Sequence, residues 1–328
     1  MLSRSASGLY WIGRYLERAD HLTRLMRQQT ESLVDSPVRD IYFGWHRIYG
    51  ALGRTPHPGP LDLEGDDSYT LADSYTLADD LTFEDTTPDS IRNCFAEARE
   101  NARQVRHRVS AEMWTCLNRS YLQLQGVEIQ HIWSSSPEQF YAGVEADIDT
   151  FRGVSSSTMY RDQGWHFIRL GSFLERAELV ASLLSAQIAA VRLFDVPADA
   201  YWTSLLRLYY AFEAYQKGDG LAIDPDRVLD LLVVNPQLPD SLSVSVLGLN
   251  REFSSIGAGP DPTAAAQARS QLDYMSDLLR SGWPRTTDRQ GLLTEFRNGC
   301  RRLHDLVADT YFDYPVATNP AHMGAFDQ

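Results

Sequence analysis

One segment of this chain is written twice. Residues 9–26 (LYWIGRYLERADHLTRLM) align without gaps on residues 167–184 (FIRLGSFLERAELVASLL), with six of 18 positions identical and the run Leu-Glu-Arg-Ala shared at 16–19 and 174–177. Later landmarks recur in the same order. Trp45 follows Glu17 by 28 residues and Trp202 follows Glu175 by 27; Pro88-Asp89-Ser90 begins 71 residues after Glu17 and Pro239-Asp240-Ser241 begins 64 after Glu175. A unit that recurs in this way cannot bury its apolar face alone and packs on its copy. The chain therefore reads as two repeats, 1–153 and 154–315, forming one domain over 1–315 with an approximate internal two-fold, followed by a tail at 316–328.

The repeated unit is helical. In its first copy the apolar residues Leu9, Ile12, Leu16, Ala19, Leu22 and Met26 fall in steps of three and four, which is one face of a helix. The same spacing predicts a continuous helix over 88–118, opened by Thr87 as cap and Pro88 at its first position. Further helices are expected at 38–53, 161–193, 198–216, 225–234, 239–254, 262–281 and 287–312, and one opens at Ser136-Pro137. The alternating stretch 242–249 (LSVSVLGL) reads as helix because Asp240-Ser241 precedes it and no partner strand exists. The fold class is thus all-α, an internally duplicated helical bundle. Residues 61–90 stand apart, with ten acids, no Lys or Arg, and a tandem DSYTLA at 67–72 and 73–78. They read as an acidic surface loop over 61–87, tolerant of duplication, or as an acidic docking or metal segment.

Charge narrows the function. The formal net charge is −14, which argues against non-specific binding to nucleic acid or an anionic membrane. Of 30 basic residues only Lys217 is a lysine, so an anion would be held by arginine, whose planar fork suits carboxylate and phosphate. Cys94, Cys116 and Cys300 are odd in number and form no CxxC, as in reduced thiols of a cytoplasmic protein. Arg4, Arg14 and Glu17 interrupt the opening residues, which lack a signal-peptide core, and no uncharged apolar run reaches the length of a membrane span.

Two constellations could carry chemistry. Tyr10, Arg14, Glu17, His21, Arg24 and Gln28 make a polar stripe on the first helix, with Arg18 beside it. The second copy keeps Glu175 and Arg176 but has Ser172 and Leu179 where the first has Arg14 and His21. If the two helices meet near the pseudo-axis, Glu17, Arg18, Glu175 and Arg176 approach one another, as a structural clamp or a site. The second stripe is Arg103, Arg106, His107, Ser110, Trp114, Asn118 and Tyr121, either a pocket wall or a plain polar face. If the first helix packs along 88–118, Arg14, Arg103, Arg106 and Trp114 converge on one anion-binding cleft, with Asn101, Glu112 and Asn118 supplying polar contacts. Glu128 and His131 form a single ExxH, where a carboxylate-bridged di-metal bundle needs two, so neither metal nor cofactor is expected. No HExxH, GxSxG, GxGxxG or phosphate-binding loop occurs.

Leu2-Ser3-Arg4, Leu9-Tyr10-Trp11, Gly13-Arg14-Tyr15 and Leu16-Glu17-Arg18-Ala19 resemble the opening of the alpha-E domain family. The likeness continues through Asn101-Ala102-Arg103, Arg106, Ser110, Glu112, Trp114 and Asn118. It resumes at Trp165, Phe167, Leu170-Gly171, Leu174-Glu175-Arg176-Ala177, Trp202, Leu205-Leu206-Arg207 and Pro239-Asp240-Ser241, covering essentially 1–312. The sequence departs from the family pattern at Ser172, where an arginine would match the first copy, and at Asp240, where a basic residue is commoner. The resemblance implies an all-helical protein that partners circularly permuted ATP-grasp proteins and transglutaminase-like peptidases, in a system making or trimming amide bonds on peptides. Three readings follow. The chain is a binding partner of an ATP-grasp ligase; or an enzyme using Glu17 or Glu112 as general base beside Arg14 and Arg103; or a purely structural assembly module.

Overall fold

The computed structural model describes residues 1–55, 67–194, 199–219, 222–257, 259 and 261–312. Among these residues there is no strand. The α-helices run in chain order as α1 Ser3–Asp35, α2 Val38–Leu52, α3 Asp67–Thr82, α4 Ile91–Gln104, α5 Ala111–Gln125, α6 Ile129–Trp133 and α7 Pro137–Thr158. They continue as α8 Gln163–Phe194, α9 Asp199–Leu208, α10 Phe212–Asp219, α11 Pro225–Val234, α12 Leu242–Ile256, α13 Pro262–Asp277 and α14 Arg289–Tyr311.

Two long helices organise the rest. α1 and α8 pack on each other; α4 and α7 flank α1, while α2, α12 and α14 flank α8. The six apolar positions expected on the inner face of α1 are all buried. α1 and α8 touch backbone to backbone at two glycines. A Cβ on Gly13 would lie 2.1 Å from the Ile168 carbonyl oxygen, and one on Gly171 would lie 2.1 Å from that of Tyr10. No residue but glycine permits this approach. α8 is long and apolar enough by composition to cross a membrane, but 67% of its apolar window is buried inside the protein, as in a central core helix.

The caps set where the flanking helices start. Ser90 accepts from the Asn93 N–H at the start of α4, and Ser241 accepts from the Val244 N–H at the start of α12. This corrects the expected start at Pro88. The continuous helix expected over 88–118 is also two helices. Val105 and Val109 turn into the core between α4 and α5, and Ser110 caps α5 through the Met113 N–H. The apolar rhythm runs unbroken through Ala98, Ala102, Val105, Val109 and Met113, so periodicity alone could not reveal the break. The stretch 198–216 likewise divides into α9 and α10, at Tyr210, which has φ 51°. The expected repeat boundary at 153 falls inside α7; the chain leaves helix over 159–162.

The acidic segment is not a loop where it is described. Asp67–Thr82 is helix, and Ser74, Leu77, Ala78, Leu81 and Thr82 are buried. Its polar groups are acceptors for the aromatic face of α2: Trp45 Nε1 donates to Ser74 Oγ at 2.9 Å and Tyr49 OH to Asp80 at 2.7 Å. Residues 61–66 and the tail 316–328 lie outside the described residues.

Candidate functional site

The crossing of α1 and α8 brings four of the expected residues together. Arg18 Nε donates to Glu175 Oε1 at 2.7 Å, and Arg176 Nε donates to Glu17 Oε1 at 2.6 Å. Each arginine also reaches an aspartate ahead of a capping serine. Arg18 pairs with Asp89, and Arg176 Nη1 lies 3.3 Å from Asp240. Each glutamate has a second arginine. Glu175 is also bound by Arg14, which extends to Glu178 at 3.0 Å; Glu17 is also bound by Arg152 of α7, at 3.0 Å. Burial alone would push both carboxyls up. At Glu17 the paired charges of Arg176 and Arg152 outweigh it and hold the group at about 2. At Glu175 Arg14 and Arg18 likewise prevail and lower it.

From Glu17 the ion pairs continue along the seam between α1 and α7. Arg152 also binds Asp20 at 3.0 Å, Asp20 binds Arg24 at 2.7 Å, and Arg24 binds Asp240 at 2.8 Å. Burial, only partly offset by Arg152 and Arg24, raises the carboxyl of Asp20. Burial and the adjacent Arg24 push His21 down to about 4, so it is neutral at pH 7.

Beside this crossing lies a cavity of about 330 Å³. Gly13 and Glu17 of α1, Arg152, Ser155 and Ser156 of α7, Trp165, His166, Arg169 and Ser172 of α8, and Arg251 and Glu252 of α12 line it. The two aligned segments differ here. Ser172 stands where the first has Arg14, and Arg169 stands where the first has Trp11. Across the crossing, the Arg14 guanidinium fills the corresponding space under Trp11, 5.2 Å from its ring, with His304 stacked on Tyr10. Ser172 is too short to fill its side, and its hydroxyl turns to the Gly13 carbonyl at 3.3 Å.

Arg169 is half-buried, lies over Phe173 at 4.4 Å, and has no carboxylate within ion-pair distance among the described residues. Burial and then the neighbouring Arg176 pull its guanidinium below its usual range. Glu252 is engaged by His166 at 2.6 Å and by Arg251 at 2.8 Å. The lining therefore carries three guanidiniums against two carboxylates that are already paired. An oxyanion entering here supplies the countercharge that Arg169 lacks.

The cleft expected from Arg14, Arg103 and Arg106 does not form. Arg14 is buried at the crossing, whereas Arg103 is exposed on the last turn of α4 and paired with Glu100 at 2.7 Å. Arg106 lies in the turn after α4, 5.7 Å from the Trp114 ring, and donates to the Val109 carbonyl. Asn118 accepts from Arg99, Asn101 donates back to the Glu97 carbonyl, and Glu112 is exposed in the first turn of α5. The break at 105–110 turns α5 away from the line of α4, so Arg103 leaves the stripe, while Arg106 stays over Trp114 and Arg99 lies over Trp114 and Tyr121. Arg169, Arg152 and Arg251 were not singled out from the sequence. The signal for them was Ser172, read as a lost basic group although the missing side chain opens the cavity. Among the described residues no group of three or more His, Cys, Asp or Glu could hold a metal ion. The three cysteines are buried and unpaired.

A family model described as a predicted alpha-helical domain with a conserved ER motif matches residues 1–312. The Glu-Arg pairs Glu17-Arg18 and Glu175-Arg176 lie within that match, at the crossing described above. An uncharacterized protein of Mycobacterium bovis is 23% identical over 335 residues, covering 93% of this chain. Uncharacterized proteins of two strains of Mycobacterium tuberculosis match with the same identity and coverage. The chain spans about a third of the length of these curated relatives, 36% in each case. No solved structure matches it.

Proposed function

The chain belongs to the Alpha-E family, and from that premise we propose that it binds a carboxylate- or phosphate-bearing ligand in the cavity at Ser172. In this reading it is the helical component of an ATP-grasp-linked system that forms or modifies amide bonds on peptides, and its partners are a circularly permuted ATP-grasp protein and a transglutaminase-like protein. The family resemblance supports those partners; Arg169 carries the ligand reading, as a half-buried guanidinium without a carboxylate, facing a cavity beside Arg152 and Arg251. The molecule is proposed to be an internal duplicate about a pseudo-two-fold. Three matched pairs support this: Arg18–Glu175 with Arg176–Glu17, Gly13 with Gly171, and the caps Ser90 and Ser241. The ligand cavity then lies where the two copies have diverged.

Glu17 is a poor general base in this setting. A carboxyl held at about 2 by two arginines stays ionised but has little affinity for the proton a base must accept. A structural assembly module is the competing reading, favoured by the dispersal of Arg14, Arg103 and Arg106. Titration of the purified protein with inorganic phosphate and acetyl phosphate, followed by Trp165 fluorescence and calorimetry, separates the two. Binding is expected, and Arg169→Ala should weaken it by roughly 10- to 100-fold, one charge-assisted contact being worth about 1.5–3 kcal/mol. If neither probe binds, or Arg169→Ala binds as well as the parent, the module reading replaces this one. Co-purification with an ATP-grasp protein tests the partnership separately.

A further inference from the structure

A second cavity, of about 550 Å³, lies further along α1. Arg24, Arg27 and Glu31 of α1, Glu145 of α7, Arg207 of α9 and Tyr210 stand around it, and Gln28 and Ser204 also line it. It shares no lining residue with the cavity at Ser172.

Beneath Gln28 and Ser204 lies Arg47 of α2, 2% exposed. Its guanidinium donates to Gln28 Oε1 at 2.9 Å, to Ser204 Oγ at 3.2 Å and to Gln187 Oε1 at 3.3 Å. Every one of these acceptors is neutral. Its Nε has no hydrogen-bond partner, and no carboxylate lies within ion-pair distance of it among the described residues. A buried cation without a counterion is costly. Burial accordingly pushes Arg47 down to about 10. Gln28 and Ser204, the neutral residues that shield it, are also part of the cavity wall, so a counterion in the cavity would sit across them from Arg47.

The walls are divided in charge. Arg24 is consumed by Asp20 and Asp240, and Glu145 by Arg27 and Tyr210. What stays available is Arg207, which is exposed and has no ion pair among the described residues, and Glu31, whose one basic contact among them is Arg27 at 3.3 Å and whose carboxyl also meets that of Glu138. The cavity thus offers one uncommitted guanidinium above a buried cation, and one lightly held carboxylate. Tyr210 closes one side in a left-handed conformation that tyrosine rarely adopts, with φ 51°. Its ring lies over Arg24 at 5.2 Å and its hydroxyl donates to Glu145. Strain of this kind persists where surrounding contacts over-determine it, which is common at ligand clamps.

We propose that this cavity binds an amino acid or short peptide as its zwitterion, the carboxylate on Arg207 over the buried charge of Arg47 and the ammonium on Glu31. A polyphosphate would meet Glu31 and Glu145, so the mixed lining selects against it.

The test is calorimetric titration of the full chain with dialanine, N-acetyl-dialanine, acetate and inorganic phosphate. Dialanine is expected to bind, and N-acetyl-dialanine to bind about tenfold more weakly because it lacks the ammonium. Arg207→Ala, at an exposed position where folding is not at risk, should weaken dialanine by about tenfold or more. Glu31→Gln should weaken dialanine and leave N-acetyl-dialanine unchanged. Arg169→Ala should leave the Arg207-dependent part of dialanine binding in place, so failure here is distinct from failure at the Ser172 cavity. The proposal is overturned if dialanine does not bind, if its binding ignores Arg207→Ala, or if, in the Arg169→Ala protein, acetate or phosphate binds as tightly as dialanine.

Discussion

A buried glutamate between two arginines is stable only as a complete set. Glu175 is 2% exposed and neutralises both Arg14 and Arg18. Removing it leaves Arg14 only Glu178 and Arg18 only Asp89, both at the edge of the crossing, and a broken buried pair costs about 3–5 kcal/mol. Glu175→Ala should therefore lower the unfolding free energy by an amount in that range, read as a lower urea midpoint with an unchanged slope; a loss under about 0.5 kcal/mol would mean the charges are solvated after all. His21 allows a second test. Its folded pKa, about 4, lies below the ordinary value of 6.5 because burial and then Arg24 disfavour the cation. Between these values the unfolded chain binds the extra proton, so stability must fall as pH drops through the window, by up to ~3 kcal/mol. Glu17 acts in the same direction but lower, between its ordinary 4.5 and about 2. Asp20, raised by burial, acts in the opposite sense. The comparison must therefore be made between variants. His21→Leu, which installs the residue found at the aligned Leu179, should flatten the pH dependence of stability between pH 4 and 6.5 relative to the parent. Equal slopes in denaturant titrations across that range would rule the assignment out.

At the scale of elements, the glycines at the crossing decide how close α1 and α8 can come. A Cβ at Gly13 or Gly171 would fall 2.1 Å from a carbonyl oxygen of the other helix, and backbone cannot yield as a flexible side chain can. Gly13→Ala and Gly171→Ala should each destabilise by about 1–3 kcal/mol or more, because the helices must part and stretch the ion pairs a turn away. Gly143, inside α7, would meet nothing within 4 Å. There the same substitution should stabilise by about 0.5–1 kcal/mol, through helix propensity alone. Thermal melts of the three variants check both signs. The close approach was legible in the sequence only as the shared Gly-x-x-x-Glu-Arg of the two segments. The helices themselves were legible because apolar spacing reports burial, and the meeting of Glu17, Arg18, Glu175 and Arg176 because both aligned segments carry the pair. The interruptions were not. Val105 and Val109 continue the helical rhythm while leaving the helix, and the signal to stop was the capping Ser110, which reads equally well as a surface serine. The tandem DSYTLA reads as a loop because a short duplication is tolerated most easily in one. Ser74 in its second half and Asp80 just beyond it instead face donors on α2, and no local pattern records a partner's hydroxyl or indole.

At the scale of the whole molecule, neither half carries a closed set of charges. Cut in the turn at 159–162, the first half keeps Arg152 on Glu17 and Asp89 on Arg18, but Arg14 loses both its carboxylates, Glu175 and Glu178. The second half keeps Asp240 on Arg176, and Glu175 is left without either arginine. Each half also uncovers the buried face of its long helix, including Leu9, Ile12 and Leu16 on one side and Phe167, Leu170 and Leu174 on the other. Apolar surface of that extent and unpaired charge at its centre both favour association over independent folding. Residues 1–160 expressed alone should therefore show helical circular dichroism without a cooperative thermal transition. Mixed with residues 161–328, they should form a one-to-one complex that melts cooperatively. Glu175→Ala in the second fragment should weaken that complex, since an interface charge removed from its partners raises the dissociation rate. A monomeric 1–160 that melts cooperatively on its own would show that the crossing joins two finished domains, and that the shared ion pairs came after the fold and did not make it.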